Sequence, residues 1–152
     1  MRLRIASTSD DDTVKLWSLA GVAPLKTIQG RITCLAITPD GKLLASRNSD
    51  NTVKLWRLPD GALLKTLHGH KGLVTCLAIA PDGKLLASGS EDYTVKLWSL
   101  PDGAPRGYLN AHIVLHRLVI TADGKRLAYG YPTMKLWRLP DGAPLKAPEE
   151  YR

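Results

Sequence analysis

Residues 74–104 read VTCLAIAPDGKLLASGSEDYTVKLWSLPDGA. Three short runs, VTCLAIA, KLLASGS and TVKLWSL, are separated by Pro81-Asp82-Gly83, Ser90-Glu91-Asp92-Tyr93 and Pro101-Asp102-Gly103. Glycine accepts positive φ without steric penalty, and Asp-Gly suits the tight turns that join antiparallel strands. A fourth run, Leu63 to Leu67, precedes them and ends at His68-Gly69-His70. The pattern predicts a unit of four short antiparallel strands.

The rest of the chain consists of complete or damaged copies of this unit. Trp17, Trp56, Trp98 and Trp137 recur at intervals of 39, 42 and 39 residues. TVKLW stands at 13–17, 52–56 and 94–98, TMKLW stands at 133–137, and Asp-Gly at 40–41, 82–83 and 123–124 keeps the same phase. A four-stranded unit repeating every 40–45 residues or so is the signature of a β-propeller blade. The residues resemble the WD-40 repeat family, whose pattern is Gly-His, a Ser in the second strand, an Asp in the following turn and a Trp in the third strand. Gly69-His70, Ser88, Asp92 and Trp98 match it in full, and Ser46, Asp50 and Trp56 match it without the His. In the first copy Ser7, Asp11 and Trp17 match, and in the fourth only Trp137 and His112 remain. The Asp that usually follows the Trp is missing, with Ser18, Arg57, Ser99 and Arg138 in its place.

The resemblance implies an all-β propeller unit with blades at approximately 1–29, 30–69, 70–110 and 111–152. The first blade is incomplete, because Arg2 to Ser7 aligns with a second strand. An arc of four blades exposes an apolar flat face at each end, and such patches mark association. The simplest closure is a symmetric homodimer forming a ring of about eight blades. Closure of one chain on itself, or membership of a longer propeller, are the alternatives.

Lys and Arg exceed Asp and Glu, giving a net charge of +7. That balance favours acidic partners or nucleic acid. The lysines nevertheless recur with the repeat (Lys15, Lys54, Lys96, Lys135; Lys42, Lys84, Lys125) instead of forming a block. They read as evenly spaced surface charge, and nucleic acid is not the expected partner. Basic residues are not interleaved with aromatics as single-strand platforms require. Cys34 and Cys76 occupy one position of successive copies, where equivalent side chains point alike and do not face each other, so they read as small buried residues. The segment MRLRIASTSDDD has no long apolar run. The expectation is a cytoplasmic protein without a leader or anchor.

Ser88, His70 and Asp92 have the residue types of a hydrolytic triad. No Gly-x-Ser-x-Gly elbow encloses Ser88, and copies one and two carry the Ser and Asp without a His. In the family resembled, these groups form a hydrogen-bond chain to the indole N–H of the Trp, so no catalytic residue is expected. His68 with His70, and His112 with His116, lack the third ligand that zinc requires. The glycines stand singly in turns, with no phosphate-cradling loop. No metal and no cofactor are expected. What remains is a non-catalytic scaffold binding peptides or protein surfaces at the propeller face. The alternative is a repeat assembly with no ligand of its own, a reading suited by CLAI-x-PDGKLLAS recurring at 34–46 and 76–88. Positions where the copies disagree in their loops are the candidate partner-binding residues: Arg31, Arg47, Asn48, Asn51, Lys71, Glu91 and Tyr93.

Overall fold

The computed structural model describes residues 4–8, 13–18, 24–29, 35–58, 60–129, 134–139 and 150–151. They form four antiparallel sheets, with no helix among them. The first contains β1 (Arg4–Thr8), β2 (Thr13–Ser18) and β3 (Pro24–Gln29). The second contains β4 (Leu35–Ile37), β5 (Leu43–Arg47), β6 (Val53–Arg57) and β7 (Leu63–Leu67). The third runs β8 (Val74–Ile79), β9 (Leu85–Ser90), β10 (Thr94–Ser99) and β11 (Pro105–Asn110). The fourth runs β12 (Leu118–Ile120), β13 (Arg126–Tyr129), β14 (Met134–Arg138) and β15 (Glu150–Tyr151). Within every sheet each strand pairs with its neighbour in sequence, and none of the four closes on itself.

The register repeats as closely as the sequence does. Trp17 lies opposite Ile5, Trp56 opposite Leu44, Trp98 opposite Leu86 and Trp137 opposite Leu127. Pairing with the outer strand slips at the same step in three sheets, between Leu16 and Trp17, Leu55 and Trp56, and Leu97 and Trp98. A bulge there raises the local twist and bends the strand.

Because side chains alternate across a strand, the second, third and fourth sheets each have two apolar faces. On the third sheet Val74, Leu86 and Trp98 pack against Ala45, Val53, Leu55 and Leu67 of the second sheet. Its other face presents Cys76, Ala87, Val95 and Leu97 to Leu118, Leu127 and Tyr129 of the fourth. The second, third and fourth sheets thus stack in chain order around shared cores. Polar ties reinforce the stack: Arg47 Nη1 donates to the Val74 carbonyl (2.6 Å), Lys65 Nζ to the Asp102 carbonyl (3.0 Å), and Thr75 Oγ1 to the Leu115 carbonyl. Successive Asp-Gly turns also lie close, since a Cβ added to Gly83 would come within 3.6 Å of Pro39 Cδ. Gly83 has φ +73°, which the turn requires.

Candidate functional site

Among the described residues the most elaborate polar arrangement lies at one edge of the third sheet. Ser88 is on β9 and Trp98 on β10, with their side chains on the face turned toward the second sheet. The loop between β7 and β8 brings in His70, and the β9–β10 turn brings in Asp92. Trp98 Nε1–H donates to Ser88 Oγ at 2.9 Å, and Ser88 Oγ lies 2.7 Å from His70 Nε2. His70 Nδ1 lies 2.9 Å from Asp92 Oδ2. The carboxylate also accepts from the backbone N–H of Lys71 (3.0 Å) and from the N–H (2.9 Å) and hydroxyl (2.6 Å) of Thr94.

The order Ser–His–Asp and its spacing satisfy the geometry of a hydrolytic triad. Access does not. Ser88 is 0% exposed and its Oγ is already engaged by the indole N–H, so no substrate carbonyl reaches it.

Burial holds the His70 pKa below its ordinary value despite the neighbouring carboxylate, so at neutral pH Nδ1–H donates to Asp92 and Nε2 accepts from Ser88. Burial works to raise the Asp92 pKa, but the hydrogen bonds from Thr94, His70 and the Lys71 backbone outweigh it and hold the carboxyl far below the carboxylate range. Both folded-state pKa values therefore lie below those of the unfolded chain. The unfolded chain takes up a proton at His70 near 6.5 and at Asp92 near 3.8, while the folded chain resists both. Stability attributable to the pair is complete above 6.5, declines first as pH falls through that value, and declines again below 3.8. Urea midpoints measured from pH 7.5 to 3 are expected to show both steps, with the upper one absent in His70→Gln. A flat wild-type profile between pH 7.5 and 5 would exclude this account.

The other copies retain parts of the chain of bonds. In the second sheet Trp56 Nε1–H donates to Ser46 Oγ at 2.8 Å, and Asp50 Oδ1 accepts from the Thr52 hydroxyl (2.5 Å) and N–H (3.2 Å). In the fourth, Tyr129 stands in the serine's place and stacks on Trp137 with ring centroids 6.2 Å apart, and the buried indole N–H has no partner. In the first, Ser7 lies opposite Lys15 and Trp17 opposite Ile5 in the β1–β2 register. Asp11, Arg31 and Cys34 lie outside the described residues.

The family model described as WD domain, G-beta repeat, matches residues 22–57 and 61–99. The chain belongs to the WD-40 repeat family. No curated protein was found to match it. The matched segments include both intact indole–serine bonds, Trp56 with Ser46 and Trp98 with Ser88.

Apart from Arg31, the loop residues singled out from the sequence fall near the same edge of the WD-40 blades. Lys71 and Glu91 are exposed and Tyr93 is 52% exposed. The Glu91 N–H donates to the Leu73 carbonyl, which holds these two loops side by side. Asn51 and Tyr93 occupy equivalent turn positions with φ of +70° and +69°. Arg47 and Asn48 are half-buried: Arg47 ties the second blade to the third through Val74, and the buried Asn48 Oδ1 has no protein partner. Among the described residues no three His, Cys, Asp or Glu side chains converge as metal ligands, and Cys76 is buried. No helix among them is long and apolar enough to cross a membrane.

Proposed function

We propose that this chain is a non-catalytic protein-interaction scaffold whose binding surface is the blade edge carrying Lys71, Glu91 and Tyr93. WD-40 repeats generally mediate protein–protein interaction, and proteins built from them are typically scaffolds without catalytic activity. The observation that carries the reading is the self-contained bonding of Trp98, Ser88, His70 and Asp92. It uses the groups that resemble a reactive triad to fix the turn from which Tyr93 projects. A rigid turn bearing an exposed aromatic suits recognition, since large side chains presented in a fixed pose lose little entropy on binding.

We also propose that two chains associate, each supplying blades at about 1–29, 30–69, 70–110 and 111–152, to close one ring of roughly eight blades. The fourth blade supports this. Leu136 is half-buried and Val119 is 52% exposed, although the alternation of the repeat assigns both to a face that the second and third blades bury. A sizing column with light scattering, run on the chain alone and again with a captured partner, tests both parts. The expected mass alone is near twice 16.6 kDa. The partner should shift it higher for the wild type and not for Lys71→Ala/Glu91→Ala/Tyr93→Ala. A monomeric mass removes the dimer, and an unchanged shift with the triple variant removes this surface.

A further inference from the structure

The third blade departs from its sister copies in one strand. The outer strands read PLKTIQ at 24–29 and LLKTL at 63–67, whereas β11 reads PRGYLN. Register makes the exchanges explicit: Lys54 faces Thr66 in the second blade and Lys96 faces Tyr108 in the third, with Gly107 where Lys65 would stand. Beside this strand lies a cleft of about 140 Å³, walled by Trp98, Pro105 and Tyr108 and flanked by Lys96 and His68.

Gly107 lines the cleft through its backbone, and a Cβ there would meet nothing within 4 Å. Next to His68, Gly69, with φ +147°, lets the chain pass so close that a Cβ would lie 3.5 Å from Lys96 Cε and 3.7 Å from Trp98 Cη2. Lys96 Nζ is held 5.2 Å from the centroid of the Tyr108 ring, an arrangement that fixes a cation without neutralising it. No carboxylate lines the cleft, its floor is largely hydrocarbon, and the whole chain is cationic.

We propose that this cleft receives a glutamate or aspartate side chain from an extended segment of a protein partner. The acid's short apolar stem lies against Trp98 and Pro105, and its carboxylate accepts from Lys96 Nζ and the His68 imidazole. A charge-assisted bond of this kind is among the stronger polar contacts. A nucleic-acid backbone fits less well, since phosphate tracking needs a stripe of cations and the cleft offers one lysine and one histidine. The inference deepens the scaffold reading and rests on it, adding a second contact point away from the Tyr93 edge.

The test is a titration of the full chain, followed by amide and indole NMR shifts, with the blocked peptide acetyl-Leu-Glu-Leu-amide and with its Gln counterpart. The expected result is saturable movement of the Gly107, Tyr108 and Trp98 indole resonances with the Glu peptide, weaker by about tenfold or more with the Gln peptide or in Lys96→Gln. Tyr108→Thr and His68→Asn should also weaken it. Both keep the fold, because they install residues the chain already carries at Thr66 and Asn110. Equal binding of the two peptides, no movement at these resonances, or preferential movement with an oligothymidylate would each overturn the proposal. If instead the cleft fails while the triple variant at the Tyr93 edge still releases a captured partner, only the cleft is lost and the scaffold reading stands.

Discussion

Replacing Trp98 with Ala is expected to remove about 3–5 kcal/mol of stability, the range for deleting a buried aromatic side chain. Trp98 is 4% exposed and sits where the second and third blades meet, against Val74, Leu86 and Leu100 on its own sheet and Ala45, Val53 and Leu55 across the interface. The cavity cannot collapse readily, because the surrounding side chains belong to two sheets whose separation is fixed by the Arg47–Val74 and Lys65–Asp102 bonds. The loss would be a large share of the roughly 5–15 kcal/mol that holds a typical domain folded. Trp56→Ala is the internal comparison. Trp56 is only half-buried, so its removal should cost less. Urea unfolding of the two variants checks the order, and equal costs would mean that the interface between these blades is not the tight one.

Ser88→Ala is expected to have the second largest effect. Its single oxygen serves two buried groups at once, accepting from the Trp98 indole and donating to His70 Nε2. Removing it leaves both unpaired, at about 1–3 kcal/mol for each buried polar group so orphaned. The contributions need not add, since the groups belong to one network. Ser46→Ala takes a partner from Trp56 alone and should be milder. The same pair of variants separates structure from catalysis. A serine-directed fluorophosphonate should not label wild-type Ser88, and hydrolysis of an activated ester should be the same in wild type and Ser88→Ala. Labelling at Ser88 would return the triad to consideration as chemistry.

Strand positions were legible in the sequence because they depend on local rules: period-two alternation, Asp-Gly at the turns, and a tryptophan at a fixed distance from each turn. The count of three strands and then four in each later sheet follows from aligning the copies and agrees with the observed sheets. The partners of Ser88, Asp92 and Trp98 were legible through the repeat pattern, which fixes residues that meet within one blade. Contacts between blades were not. Arg47 looks like any variable loop residue until the next blade's Val74 carbonyl is placed 2.6 Å from its guanidinium. Within the fourth sheet the stacking of Tyr129 on Trp137 was not legible either, because the repeat pattern assigns a serine to that place. The cleft at Tyr108 escaped for a related reason. Its walls come from β10, β11 and the separate residue His68, which no local hydrophobic period brings together.

Pairing of every strand with its sequence neighbour also bears on the order of events when the chain folds. The first native contacts in each sheet close only short loops, at small entropic cost, so each hairpin can form on its own. Contacts of longer reach, such as Arg47 with Val74 and Thr75 with Leu115, arise when one finished sheet settles on the next. Folding in such an array spreads from neighbour to neighbour and has no need of one simultaneous collapse. The sheet spanning Val74 to Asn110, with its bonding chain complete and a core on each face, is the natural place for it to begin.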